Sequence, residues 1–486
     1  MSFMNKSILS VLAVWVALIP VAVNAEIEAR DIGGRLELFV DTYLVERFEG
    51  TSLQKAEPVP GEHVLAFDRP WEGPFCGYVS VLQNGDFFQA YYRGLRTAGK
   101  DGSDAEVTCY AESRDGLAWE RPNLRLFEVG GTLDNNVILS GMAPFSHNFS
   151  PFLDSREGVP AEERYKALAG TSETGLYSFV SPDGIHWRKH SQEPVMREGA
   201  FDSQNVSFWS ETEQQYVCYL RTWTTGAFEG IRTISRSTSK DFQNWSAPRQ
   251  MRFGETPLEH LYTNQTLAYF RAPHLLISLA ARFMPGRRVV ASDQAGAIGV
   301  DERYSGDCSD TVLLTSRGGE QYDRTFMEAF VRPGLGLENW TSRTNYCSRG
   351  IIPSGPDHIA FYIQRHYGQD SHYLQRMLLR TDGFSSVHAS YTGGEMITRP
   401  IRFEGSRLIL NAATSAAGGI RVEIQDAAGT PLAGYSLADA HEFVGDQIDA
   451  VASWKGGSDL SALASQPVRL RFVMKDADLY SLQFRP

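Results

Sequence analysis

A short phrase recurs along this chain and closes each time on tryptophan. It reads Ser113-Arg114-Asp115-Gly116-Leu117-Ala118-Trp119, then Ser181-Pro182-Asp183-Gly184-Ile185-His186-Trp187, then Ser239-Lys240-Asp241-Phe242-Gln243-Asn244-Trp245. A fourth stretch, Gly334-Leu335-Gly336-Leu337-Glu338-Asn339-Trp340, keeps only the spacing to the tryptophan, and Thr381-Asp382-Gly383-Phe384 keeps only the Asp-Gly pair. Asp-Gly is a turn signal: Asp bonds its own backbone and Gly supplies positive φ. The tryptophan then starts the next strand and packs inward. Strand-like runs stand upstream, at Val107–Ala111, Leu176–Val180, Ile231–Ser235 and Tyr373–Leu379. One Ser-x-Asp-Gly turn means nothing in a β-rich chain. Three, each behind a matched strand, predict a β-propeller, whose blades are small antiparallel sheets repeating at tens of residues. Counting all five turns predicts five blades.

The surrounding texture agrees. The 486 residues include 44 glycines and 12% aromatic residues, and no long helical periodicity follows the first segment. That segment has Lys6, an apolar run from Ile8 to Val23, and small residues at Val23-Asn24-Ala25. It reads as a signal peptide over residues 1–25, with export to the periplasm or beyond the cell. Residues 26–390 then form the propeller, with a lead-in strand at Leu36–Asp41. From about 392 the pattern changes to clean alternation, as in Arg407–Ala412, Ile420–Ile424, Val468–Val473 and Leu479–Phe484. Residues 391–486 read as a β-sandwich. The expected class is all-β: a five-bladed propeller followed by a C-terminal sandwich.

Net charge is −12, from 46 basic and 58 acidic residues. This argues against a nucleic-acid partner, which calls for a basic face. No stretch after the leader is suited to a membrane. The five cysteines are scattered, without Cys-x-x-Cys, so neither a zinc site nor a disulfide pairing is assigned. No cofactor and no metal is expected.

Innermost strands of a propeller line a central funnel, so the polar phrases that open them converge on one pocket. Glu72, Asp202 and Glu259 bring carboxyl groups to three such phrases. Trp71, His147, Asn148, Asn205, His260, Asn264, Gln265 and Asn345 bring rings and hydrogen-bonding groups suited to a sugar. Glycosidic cleavage needs one protonated carboxyl and one ionised carboxylate, a division that crowding in one pocket supplies. Each residue has a structural reading as well: a turn cap for Glu72, an Asx turn for Asp202, an ion pair for Glu259. The repeat aspartates sit at blade edges and read as structural.

These features resemble the five-bladed propeller glycosidases, glycoside hydrolase families 32 and 43. The phrases Leu38-Phe39-Val40-Asp41 and Asp68-Arg69-Pro70-Trp71-Glu72-Gly73-Pro74 resemble exported bacterial proteins of family-32-like type. The resemblance implies a base or nucleophile on the first blade, a transition-state carboxylate, and an acid on a later blade. Asp202 matches the second and Glu259 the third. The first stays open between Glu72 and Asp41, because no Asn-Asp-Pro-Asn-Gly phrase is present. The expected function is an exported glycoside hydrolase acting on a poly- or oligosaccharide. Two alternatives stand beside it. One is a sialidase-like Asp-box enzyme, which needs three axial arginines (Arg69, Arg221, Arg271 and Arg324 are available). The other is a propeller that binds carbohydrate without cleaving it.

Overall fold

The computed structural model describes residues 28–226 and 228–486. The expected leader lies outside them. The described residues are all-β apart from one six-residue helix, Ser292–Ala297, and five short 3-10 turns. No helix among the described residues is long and apolar enough to cross a membrane.

Five antiparallel sheets make the propeller. Blade 1 holds Gly77–Asn84, Phe87–Gly94, Val107–Ser113 and Val137–Leu139. Blade 2 holds Ser150–Leu153, Tyr165–Thr171, Gly175–Ser181 and Arg188–Lys189. Blade 3 holds Val206–Ser210, Gln215–Trp223, Arg232–Ser239 and Arg249–Gln250. Blade 4 holds Leu267–Tyr269, Ala272–Met284 and Cys308–Ser316. Blade 5 holds Ile352–Pro353, His358–Arg365 and Tyr373–Arg380, and takes its outer strand, Val59–Ala66, from the N-terminal side. The ring is thus closed by chain from both ends. That closing strand falls in a stretch without clean alternation. The expected lead-in at Leu36–Asp41 contributes only Glu37–Leu38, which pairs with Leu482 and Ser481 far from the ring closure.

The repeated phrase turns the chain between the third and fourth strands. Ser113 Oγ accepts from the amides of Asp115 and Gly116, at 3.3 and 2.9 Å. Asp115 Oδ1 accepts from the amides of Leu117 and Ala118, at 2.8 and 2.9 Å. Asp183 and Asp241 repeat the arrangement. Side chains therefore satisfy the amides that the turn frees.

The fourth copy is not where tryptophan spacing put it. Leu337–Trp340 is a 3-10 turn beside Leu335, which is 96% exposed. The turn of blade 4 is Ser316-Arg317-Gly318-Gly319, with Tyr322 in the tryptophan position. The Gly318 amide donates to Ser316 Oγ at 3.2 Å, and Tyr322 is fully buried. The register agrees, since Thr315 bridges Asp323 as Glu112 bridges Glu120 in blade 1. Glycine replaces aspartate here, and the tryptophan search passed over it. In the fifth turn Asp382 is buried and accepts from Tyr269 Oη at 2.8 Å and Arg271 Nε at 2.9 Å. The chain then leaves the propeller.

Beyond it, ten strands form one sheet. Two long strands, Arg407–Asp426 and Val468–Arg485, pair along most of their length. Four strands from before residue 56 join them, so the sheet is built from both ends of the chain. Its core gathers Phe39, Leu410, Trp454, Phe472 and Phe484.

Candidate functional site

A polar plug crosses the propeller axis. Gln265 Nε2 donates to Gln204 Oε1 at 2.8 Å and to the Cys347 carbonyl at 2.9 Å, and Gln204 Nε2 donates to Ser80 Oγ at 2.7 Å. Beneath these, buried Arg349 donates to the carbonyls of Pro151 and Ser207 at 2.9 and 3.1 Å. Burial holds this guanidinium down to about 10. Blades 1 to 5 are tied together here, and the axis is no open channel.

Above the plug lies a small cavity of about 20 Å³, lined by Tyr78, Arg93, Tyr262, Gln265, Arg343 and Tyr346, with Tyr367 at one side. The backbone around it is unusual. Tyr78, Phe201, Gln265, Arg343 and Asn345 have φ of 51°, 53°, 51°, 59° and 70°. Left-handed conformations cost non-glycine residues about 1–2 kcal/mol each, and such outliers concentrate at working sites.

The charge pattern is equally unusual. Arg221, only 3% exposed, ion-pairs with Asp202, whose backbone carbonyl accepts from Tyr78 Oη at 3.1 Å. Arg93 Nη1 lies 3.8 Å from Glu106 and its guanidinium 4.9 Å from the Tyr78 ring. Three guanidinium groups surround the Tyr262 ring: Arg221 at 4.3 Å, Arg343 at 5.6 Å and Arg232 at 5.7 Å. Neither Arg232 nor Arg343 has an ion-pair partner within 4.0 Å among the described residues. A cation–ring contact contributes about 0.5–2 kcal/mol, less than the several kcal/mol lost when a cation leaves water. The cluster is therefore costly to the fold.

The titrations follow from that crowding. Burial pushes the Tyr262 phenol up, but Arg343 and Arg221 outweigh it and hold the group below the ordinary phenol range. Asp307 goes the other way. Burial raises its carboxyl, and a hydrogen bond with Ser342 and the nearby charges of Arg343 and Arg232 only partly offset this. One of its oxygens, Oδ1, is buried without a hydrogen-bond partner.

The predicted residues divide into four groups. Asp202 and Gln265 stand at the axis. His147 stands beside it, 5.6 Å from the Tyr78 ring and with Nδ1 2.8 Å from Glu106 Oε1. His260 meets the Arg232 amide at 3.2 Å, and burial and Arg232 lower its pKa.

Asn148, Asn205, Asn264 and Asn345 turn their amides onto backbone. Asn148 spans Gly170 of its own blade and the Phe201 and Ser203 carbonyls at blade 3. Asn205 donates to the same two carbonyls. Asn264 donates to Tyr219, and Asn345 to Ser309 and Asn339. These amides stitch strands and loops together instead of facing a ligand.

Trp71 and Glu72 lie behind blade 1. The Trp71 indole donates to Asn136 at 2.7 Å. Fully buried Glu72 accepts from Tyr92 Oη at 2.6 Å and pairs with Arg121 at 3.1 Å. Burial raises its pKa, away from the cavity.

Asp41 and Glu259 are the remaining departures. Asp41 pairs with Arg317 of the blade 4 turn at 2.8 Å, joining the large sheet to the propeller. Glu259 is gripped by Arg282 at 3.0 Å and Arg324 at 2.7 Å, inside a network that includes Asp310. Two cations on one carboxylate oppose a general acid's need to hold a proton. The carboxyl groups expected to converge do not.

Sequence reasoning passed over Arg93, Arg343, Arg232, Tyr78 and Asp307. A signal for one of them, Arg93, existed. An arginine stands near the end of the second strand in blades 1, 3, 4 and 5, at Arg93, Arg221, Arg282 and Arg365. The apolar runs Phe88–Tyr92 and Tyr216–Leu220 within these strands each stop one residue short of it.

Asp101, Glu106 and His147 could offer a metal one ligand atom each, all within 4.8 Å of one another. Arg93 already stands there, 3.2 Å from His147 Nδ1, and supplies the positive charge the acids require. All five cysteines are buried free thiols.

No family model matches the chain, and no curated protein matches it. Among solved structures it is similar to a glycoside hydrolase, at 9% identity over 67% of this chain and 92% of that one, with a TM-score of 0.44. It is similar to an N-acetylgalactosamine deacetylase from F. plautii in complex with blood group B trisaccharide (12%, 68% and 96%, TM-score 0.42). A thermostable family-43 glycoside hydrolase gives 10%, 66% and 96%, with a TM-score of 0.41. Function is therefore read from the side chains around the axis.

Proposed function

We propose that this protein is an exported glycoside hydrolase that cleaves a poly- or oligosaccharide at the funnel, using Asp202 and Asp307. One observation carries the reading: the charge of Arg232 acts on two carboxyl groups, Asp202 and Asp307, that stand in contrasting surroundings. Asp202 is paired with Arg221 and serves as base or nucleophile. Asp307, whose carboxyl burial raises, is assigned as the acid that donates to the leaving oxygen. Tyr78 fixes the Asp202 backbone, and the plug below closes the bottom of the funnel, over whose mouth the sugar sits. The ten-stranded sheet, read as a sandwich packed on the propeller, contributes no reacting group.

The test uses a panel of 4-nitrophenyl glycosides and oligosaccharides. Asp202→Asn and Asp307→Asn are each expected to lower kcat on oligosaccharides by about 10²–10⁴-fold. Nitrophenolate needs no protonation to leave, so Asp307→Asn should recover much of its activity on that substrate while Asp202→Asn should not. Full activity of both variants on oligosaccharides would sink the assignment.

A further inference from the structure

The positive charge around Tyr262 exceeds what the fold uses. Of its three guanidinium groups, only Arg221 has a carboxylate partner, Asp202. Arg343 stands over Tyr262 at 5.6 Å and Tyr304 at 5.4 Å. Arg232 stands among Trp223 at 4.4 Å, Phe283 at 4.8 Å and Tyr262 at 5.7 Å. Aromatic faces hold both guanidinium groups; apart from Arg232 Nη1, which lies 3.4 Å from His260 Nδ1, their donors have no partner among the described residues, and Arg221 Nη1 and Nε are buried without partners. Elsewhere this acidic chain does the opposite. Arg282 and Arg324 share Glu259, Arg317 takes both Asp41 and Glu37, and Arg471 takes Glu395 and Glu423. A protein of net charge −12 has no shortage of carboxylates to place beside a cation. Arg343 and Tyr262 form one wall of the small cavity above the plug, and Arg232 stands 5.7 Å from the same Tyr262 ring. Arg343 is further held in a left-handed backbone conformation.

We infer that the funnel takes a sugar ring carrying a negatively charged substituent, a carboxylate or a sulfate ester, which Arg232 and Arg343 bind. Planar guanidinium groups fit either oxyanion through paired hydrogen bonds. The surrounding rings, Tyr78, Tyr262, Tyr304 and Tyr346, supply apolar faces for the sugar itself. The substrate class is thereby an acidic polysaccharide or its fragments. The inference rests on the glycosidase reading only for what happens after binding. It stands apart from it for what binds.

Isothermal titration separates the two. Wild-type protein is titrated with glucuronate, galacturonate, glucose 6-sulfate, glucose and inorganic sulfate at 20 mM and 300 mM salt. At least one acidic sugar is expected to bind tenfold or more tighter than both glucose and inorganic sulfate, with affinity falling at high salt. The first two ligands against the third decide between carboxylate and sulfate. Arg343→Met should remove at least tenfold of that affinity, and Arg343→Lys should restore part of it. Equal binding of glucose and the acidic sugars, or no binding of any sugar by wild type up to 10 mM, overturns the inference. So does an Arg343→Met variant that is folded by circular dichroism and binds as wild type does. Tight binding of an acidic sugar without cleavage of its glycosides leaves the inference standing and removes the glycosidase reading. Cleavage of neutral glycosides with no acidic preference does the reverse.

Discussion

The two ends of each blade solve opposite problems. At the turn end, each of the three full copies of the repeated phrase spends its Ser and Asp oxygens on its own backbone. Asp183 Oδ1 accepts two backbone amides at 2.9 and 2.8 Å, Ser181 Oγ accepts the Gly184 amide at 2.9 Å, and the Trp187 indole donates to the Gly184 carbonyl at 2.9 Å. At the funnel end no phrase repeats. Backbone is held in left-handed conformations, guanidinium groups lack carboxylate partners, and half-buried Asp307 has a buried oxygen, Oδ1, unbonded. Repetition marks what every blade needs in order to close. Departure from repetition marks what only one molecule needs, and unsatisfied chemistry collects there.

The largest effect that would sharpen this contrast is a stability loss at the turn end with no loss of function. Gly184 has φ of +79°, and a Cβ there would meet Tyr91 Oη at 2.3 Å and Tyr165 at 3.1 Å. Tyr91 belongs to blade 1, so this turn is also the contact between neighbouring blades. A left-handed alanine costs about 1–2 kcal/mol and overpacking about 1–3 kcal/mol more. Gly184→Ala is expected to destabilise by about 2–5 kcal/mol in urea unfolding. Its kcat/KM per folded molecule should stay within twofold of wild type. A folded Gly184→Ala protein with tenfold lower kcat/KM would break the division between the two ends.

That division also explains what was legible in the sequence. The turn chemistry is local, since Ser, Asp and Gly act within four residues. Three blades could therefore be read directly and a fifth inferred from Asp382-Gly383. Blade 4 was counted correctly from the wrong residues, because Gly318 replaces the aspartate and Tyr322 the tryptophan. Ring closure by Val59–Ala66 was hidden, since its partner Tyr373–Arg380 lies more than 300 residues away. The funnel was half legible. Polar phrases before the innermost strands do reach the axis, as Asp202, Gln265 and Arg343 show. Sequence cannot tell an amide that clamps a carbonyl, as Asn148 does, from one that faces a cavity. Nor does it show that Arg282 and Arg324 already hold Glu259.

A smaller effect belongs to the repeat aspartates. Burial pushes the Asp183 carboxyl up. The His186 amide and ring and the Ile185 amide more than offset this, leaving it at about 2 against an ordinary 3.8. A depressed folded-state pKa stabilises above the unfolded value and loses that contribution as pH falls through the folded one. The side chain is 45% exposed, so solvent screening reduces the contribution to about 1 kcal/mol. Asp183→Ala should therefore cost about 1 kcal/mol at pH 7 in urea unfolding. The gap to wild type should narrow between pH 4 and pH 2. A gap that is constant with pH would mean that the carboxylate charge contributes nothing to the turn.

The smallest stability change should be found at the funnel, and its sign should be reversed. Burial raises the Asp307 carboxyl, so the folded protein binds this proton more tightly than the unfolded chain does. The resulting stabilisation is complete below the ordinary carboxyl pKa of about 4 and is lost as pH rises through the folded value. Asparagine occupies nearly the same volume and never ionises. Asp307→Asn should thus match wild type in stability near pH 4 and exceed it at pH 7. The same ionisation removes the proton that the leaving oxygen needs, so turnover should fall on the alkaline side along the same curve. The midpoint of that fall and the midpoint of the stability difference should coincide, because one proton governs both. Two midpoints more than one pH unit apart would detach Asp307 from the acid role. A variant less stable than wild type at pH 7 would place this carboxylate with the self-satisfied aspartates of the turns.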